Sequence, residues 1–181
     1  PPSSPDVISM FGRYAPKHRS TFFNCFRKFE TIYIVIQRKI IMQIETPYPT
    51  LIEIRHMAPD RRSKLAMFDM DGTLIQTKSG KTFPIDAKDW QWRFPVVPDK
   101  LRSLYADGWS IYVITNQAGI SSGKQKQDDI VNKIKTMLIE IGIPITVYIA
   151  TAKDYWRKPN TSIVEHFILG PNPPEHIQYV G

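Results

Sequence analysis

Cysteine is almost missing from this chain: Cys25 is the single one in 181 residues. One thiol can build neither an intrachain disulfide framework nor a cysteine-based zinc site, and its rarity suits a reducing compartment. Long apolar runs are missing too. The most hydrophobic stretch, Thr31–Glu45, is broken at its centre by Gln37, Arg38 and Lys39. It is too short and too charged to span a bilayer, so no membrane association is expected. No secretory signal, internal repeat or low-complexity tract is visible. The chain opens at Pro1 without an initiator Met, as expected of a fragment or a processed piece. What is present is a 42% apolar composition, enough for one domain with a core, and a net charge of +7. That charge favours an anionic partner such as nucleic acid, although a solvated basic surface would give the same number.

Residues 1–30 mix Pro, Ser, Arg and aromatics without a period and read as loop. Residues 31–45 are rich in Ile, Tyr and Val and read as strand. Residues 46–63 carry three prolines and several charges and read as a linker. From Lys64 the pattern is regular. Leu65–Phe68 is a short apolar run that ends at Asp69, as a buried strand would. The spacing predicts a helix over 98–108, with Pro98 in its first turn and Gly108 as its stop. A strand is predicted over 109–117 and a helix over 126–142, where Ile130, Ile134, Met137, Leu138 and Ile141 share a face. A third strand over 144–151, a short helix over 160–169 and the opening of a fourth strand at 176–181 follow. Strands that alternate with helices over short connections predict a parallel α/β sheet with right-handed crossovers.

In such sheets function gathers at the carboxyl ends of the strands. There the sequence places Asp69-Met70-Asp71, Thr115-Asn116-Gln117 and Ala150-Thr151. Two neighbouring carboxylates repel, so a cation must offset them or one pKa must rise. Magnesium meets the first need with hard oxygen ligands. One aspartate can attack phosphorus as a nucleophile while the other moves protons. Gly72 and Thr73 would bring backbone N–H groups close to a phosphoryl oxygen. Thr115 can donate to that group, and Lys158 can neutralise it. Taken singly, Asp-x-Asp-Gly is often a turn, Thr-Asn a cap and Lys158 a solvated charge. Their order after successive strands is what carries weight.

The stretches 69-DMDGTL-74, 115-TN-116 and 158-KP-159 resemble the first three motifs of the haloacid dehalogenase (HAD) superfamily of aspartate-nucleophile phosphatases. The longer stretches 71-DGTLIQTKSGKTFP-84, 89-DW-90, 115-TNQAGI-120, 123-GK-124 and 157-RKP-159 resemble, more narrowly, the phosphatase domain of the polynucleotide kinase 3′-phosphatase family. The resemblance covers about residues 64–181. It implies an α/β, HAD-like Rossmannoid three-layer fold with a central parallel sheet. Residues 1–63 would be an N-terminal extension of unknown structure. Residues 64–181 would be the phosphatase domain, truncated C-terminally before the fourth motif. Asp69 would attack a DNA 3′-phosphate. Asp71 would protonate the leaving oxygen and later deprotonate water. Gly72, Thr73, Thr115, Asn116 and Lys158 would bind phosphate. Mg2+ would sit on the Asp69 carboxylate and the Asp71 main-chain carbonyl. The implied setting is DNA repair at 3′-phosphate ends in the nucleus, with repair-protein partners and a monomeric chain.

Lys81, Lys124 and Arg157 are candidate DNA contacts. Trp90 and Trp92 could stack on a base, but core packing suits them better. Three features depart from the family. No aspartate follows 179-YVG-181, where the fourth motif would supply a metal ligand. Ser122 stands where the family commonly has Arg. The loop 119-GISSGKQ-125 is one residue short of a Walker A motif and has Gln125 where Ser or Thr is needed, so no kinase half is expected here. Residues 1–60 do not resemble a forkhead-associated domain. Two other functions compete. One is a small-molecule HAD phosphatase of the histidinol-phosphate or sugar-phosphate type, many of which carry a cysteine-rich zinc loop that one cysteine cannot build. The other is an inactive fragment that binds DNA ends or a protein.

Overall fold

The structure, a computed structural model, describes residues 42–57 and 61–181. The loop expected over 1–30 and most of the strand expected over 31–45 lie outside the described residues. Six strands form one sheet in the order β1-β2-β7-β6-β3-β8. They are β1 (Met42–Tyr48), β2 (Leu51–His56), β3 (Lys64–Phe68), β6 (Trp109–Asn116), β7 (Ile145–Ala150) and β8 (His176–Val180). The strands β4 (Ile75–Gln76) and β5 (Gln91–Trp92) pair separately as a short antiparallel ribbon. Two α-helices are described, α1 (Val97–Ala106) and α2 (Gln127–Ile141).

β7, β6, β3 and β8 run parallel, as the alternation of strand and helix predicts. β3 lies between β6 and β8, so the residue that follows it is in the middle of the sheet. β3, β6 and β7 each alternate between two apolar layers, because successive side chains leave opposite faces, whereas β8 is largely exposed. Ala66, Val113 and Val147 join Ile130, Ile134, Met137 and Ile141 of α2 and Leu101 of α1 on one face. Leu65, Met67, Tyr112, Ile114 and Tyr148 join Trp156, Ile163 and Ile168 on the other. Sheet, helices and the 156–169 segment make three layers.

One expectation is corrected here. The linker expected over 46–63 contains β2, a buried strand antiparallel to both β1 and β7. The parallel centre of the sheet, as expected, therefore carries an antiparallel pair at one edge, and the sheet begins well before Lys64. Charge hid β2 from the reading. Glu53 is 3% exposed, yet it accepts two hydrogen bonds from Arg55 (2.8 and 2.7 Å) and one from the Tyr148 hydroxyl (3.0 Å). A buried carboxylate survives when its lone pairs are so occupied. Burial, with Glu53 beside it, pushes the Tyr148 phenol far above its ordinary range.

α2 ends where expected: Gly142 takes a left-handed conformation (φ 69°), and its N–H caps the Leu138 carbonyl at 3.0 Å. The short helix expected over 160–169 is a single π-helical turn, Val164–Ile168. Among the described residues, no helix is long and apolar enough to cross a membrane.

Candidate active site

Asp69 leaves the end of β3 with its N–H bonded to the Val180 carbonyl of β8 at 2.9 Å. Its carboxylate Oδ1 accepts from Lys158 Nζ. That ammonium also donates to the Ile114 carbonyl (2.7 Å) and the Tyr179 hydroxyl (3.2 Å), so all three of its protons have acceptors. The Lys158–Asp69 pair is only partly exposed, 19% and 25% for the two side chains, where Coulomb attraction is less screened than at an open surface. Sequence reasoning placed these two residues together, and the fold does the same.

After Asp69 the chain makes a tight turn. The N–H groups of Leu74 and Ile75 both reach the Met70 carbonyl, at 2.9 and 3.1 Å. The Gly72 N–H donates to the Ile75 carbonyl (2.7 Å) and the Thr73 N–H to Met70 (3.4 Å). Gly72 and Thr73 were expected to offer these N–H groups to a phosphoryl oxygen; in this structure they close the turn. Gly72 is needed for another reason, its φ of +82°.

The turn brings Asp71 beside β6. Asp71 Oδ2 accepts from Gln117 Nε2 at 2.5 Å, and Asp71 Oδ1 lies 3.5 Å from Lys133 Nζ. The same Gln117 nitrogen donates to Thr115 Oγ1 at 2.9 Å. Thr115 is 1% exposed. With its oxygen occupied as an acceptor, its own proton is left to point elsewhere. Asn116 was expected to bind phosphate; in this structure its side chain meets Lys158. Its Oδ1 accepts from the Lys158 N–H (3.0 Å) and its Nδ2 donates to the Lys158 carbonyl (3.2 Å). Asn116 therefore holds the main chain of Lys158.

A cavity of about 1300 Å³ opens at Asp71, Asn116 and Gln117. Lys78, Lys81, Arg93, Lys124, Lys153 and Arg157 line it, with Lys133. The three candidate DNA contacts, Lys81, Lys124 and Arg157, thus share one wall system. Asp69, Thr115 and Lys158 are not among its lining residues, so the cavity meets the strand ends from the Asp71 side. One rim of it is the 77–89 loop, which is organised around the buried carboxylate of Asp89. Asp89 accepts from the Ser79 hydroxyl (2.7 Å), the Ser79 N–H (2.8 Å) and the Ile85 N–H (3.0 Å). The Ser79 hydroxyl, ahead of these backbone donors, holds the Asp89 carboxyl below its usual value. Trp90 and Trp92 meet edge to face at 5.3 Å and pack on the core, as expected, although Trp90 also touches the cavity.

Sequence reasoning missed Gln117's double contact and the approach of Lys133. A signal for the second existed. Lys133 stands three residues after Ile130 and four before Met137, inside the apolar stripe of α2, where a charge is out of place. Tyr179, on β8, carried no comparable signal.

For magnesium, the donors at the end of β3 are hard oxygens, the Asp69 carboxylate and the Asp71 carbonyl. Among the described residues, no group of three or more His, Cys, Asp or Glu gathers to hold a metal ion. The set suits an ion that takes one carboxylate and completes its shell with phosphate oxygens and water, as Mg2+ does.

A mixed sheet with a central Asp-x-Asp strand end and a lysine from the third crossover defines the class: a HAD-like phosphatase fold. A HAD-like phosphatase structure from Mesorhizobium loti superposes with a TM-score of 0.56 at 18% identity, over 68% of this chain and 65% of that one. The family follows from the sequence over residues 64–180, which match the polynucleotide kinase 3 phosphatase family model, and the chain belongs to that family. It is 39% identical over 124 residues to the bifunctional polynucleotide phosphatase/kinase of Schizosaccharomyces pombe, covering 67% of this chain and 30% of that protein. It is 41% identical over 105 residues to the uncharacterized 20.8 kDa protein of the FGF-VUBI intergenic region of Autographa californica nuclear polyhedrosis virus, covering 57% of this chain and 56% of that protein. The chain spans about a third to a half of these relatives' lengths.

Proposed function

We propose that this chain hydrolyses the terminal phosphate from the 3′ end of a polynucleotide, at DNA strand breaks, through an aspartyl-phosphate intermediate. The observation that carries the reading is the Asp69–Lys158 ion pair at the end of β3, two positions before Asp71, whose side opens onto a groove lined by cations. Asp69 attacks phosphorus, the P–O3′ bond breaks, and Asp71 gives its proton to O3′. A water then attacks the phosphoryl group, Asp71 takes its proton, and the bond from Asp69 to phosphorus breaks to release phosphate. Lys158 balances charge on the transferring group, and the Thr115 hydroxyl donates to it. Mg2+, held by the Asp69 carboxylate and the Asp71 carbonyl, would supply charge neutralisation when bound. Lys81, Lys124 and Arg157 contact the strand's phosphates. The groove suits a polymer better than a sugar phosphate, because its cations extend well beyond one phosphoryl group.

The same reading makes the chain a monomeric nuclear repair component, recruited by other repair proteins, with residues 64–181 as its phosphatase domain. Release of phosphate from a 3′-phosphorylated DNA oligonucleotide, with magnesium and with chelator, tests it. Magnesium-dependent release that Asp69→Asn abolishes is expected. Equal rates on the oligonucleotide and on sugar phosphates would favour a small-molecule enzyme. Binding of the oligonucleotide without release would favour a DNA-end-binding module.

A further inference from the structure

Lys133 is the least expected charge in the fold. Its side chain is 3% exposed, on the face of α2 that otherwise presents Ile130, Ile134, Met137 and Ile141 to the core. Leu or Met would fill that position without the cost of drying an ammonium group. Among the described residues its hydrogen-bond partner is Asp71, at 3.5 Å. Gln117 is buried as well, at 4% exposed, and its main chain is tied to β7 by a 2.7 Å bond from its N–H to the Ala150 carbonyl. Its side-chain nitrogen donates to Asp71 Oδ2 at 2.5 Å. The two oxygens of Asp71 are therefore engaged by donors from two different elements. The Asp71 side chain itself is half exposed (50%), and nothing in its own turn restrains it.

We infer that Gln117 and Lys133 are positioning residues that hold the Asp71 carboxyl group against the Thr115 side of the site, where a leaving oxygen must be protonated. The inference rests on the phosphatase reading above. Gln117 adds a second function to the arrangement. Its nitrogen bridges Asp71 and Thr115, so the proton-moving group and the hydroxyl that faces the phosphoryl group keep a fixed separation. Small displacements of a proton donor are expensive in rate, because the reacting atoms must meet within hydrogen-bond reach.

The test uses leaving groups. A nucleoside 3′-oxygen departs as an alkoxide and needs a proton as its bond to phosphorus breaks. A p-nitrophenolate departs without one. Lys133→Met and Gln117→Leu are each expected to lower kcat on a 3′-phosphorylated oligonucleotide by roughly tenfold or more, part of the general-acid contribution of about 10²–10⁴. KM should change little. On p-nitrophenyl phosphate the loss should be several-fold smaller, and Lys133→Arg should recover part of the oligonucleotide rate. Thermal melting of each variant reports whether the fold is kept, and Lys133→Met is expected to melt no lower than the parent. Equal losses on both substrates, a change confined to KM, or no loss in kcat would overturn the inference. Asp69→Asn separates the two readings: it should stop both substrates, and turnover by that variant would instead sink the nucleophile assignment. One readout needs no turnover. The Gln117 side-chain amide resonance should shift in Asp71→Ala and in Lys133→Met, and an unmoved signal in both would also overturn the arrangement.

Discussion

Asn116 sits at the strand end where a phosphate ligand was expected, yet its amide closes on both polar groups of the Lys158 main chain. The physical gain is rigidity. Lysine has four side-chain torsions to order, and fixing its backbone removes one source of drift for the ammonium group that meets Asp69. Asn116→Ala should therefore act through Lys158. Each of the two hydrogen bonds is worth about 0.5–1.5 kcal/mol of stability. Chemical denaturation of the variant should show a loss of that order. Steady-state kinetics should show a fall in kcat/KM on the 3′-phosphorylated oligonucleotide several-fold larger than for an exposed substitution such as Asn132→Ala. A variant with unchanged kinetics would mean that Lys158 finds its place without Asn116.

At the scale of elements, β2 joins the sheet through polar residues. Glu53 is neutralised by Arg55 and Tyr148. His56, the last residue of β2, is 2% exposed, and among the described residues neither ring nitrogen has a hydrogen-bond partner. Burial lowers its pKa below the ordinary 6.5, so the folded chain holds the ring neutral. The sign follows directly. Above about 6.5 the ring is neutral in both folded and unfolded chains and contributes no pH dependence. As pH falls through that value the unfolded chain takes up a proton first, and the folded state loses stability until its own lower pKa is passed. The slope is at most about 1.4 kcal/mol per pH unit for one proton. Urea unfolding at about pH 7.5 and about pH 5.5 should reveal this loss. In His56→Leu the loss should shrink, and an equal loss in that variant would assign the acid sensitivity to other groups.

The whole molecule carries a net charge of +7, and six exposed or half-exposed cations converge on one cavity wall system. A distributed basic surface and a groove make different predictions about salt. If the groove binds single-stranded DNA, log K should fall linearly with log salt, by about 0.7 for each phosphate neutralised. The double variant Lys81→Ala, Lys124→Ala should flatten that slope by roughly 1.4 if both cations contact phosphates. Fluorescence anisotropy of a labelled 3′-phosphorylated oligonucleotide at several salt concentrations, with Asp69→Asn as background, measures it. An unchanged slope would leave these lysines as solvated charges.

Much of this protein could be read from its residues. The apolar periods located β3, β6, β7, α1 and α2, because each buries a face whose spacing is set by its own backbone geometry. The order of Asp69, Asp71, Thr115 and Lys158 after successive strands pointed to one site, since parallel strands bring their carboxyl ends to one edge. Tertiary structure alone decided the rest. It drew β2 into the sheet, because Tyr148 and Arg55 offset the charge of Glu53. It engaged the N–H groups of Gly72 and Thr73 within their turn, a matter of which carbonyl lies nearest. It turned Asn116 toward Lys158 and brought Lys133 from α2 to Asp71, across 62 positions of sequence. A local pattern specifies which face a side chain leaves from, and only the packing of distant elements determines what that side chain meets.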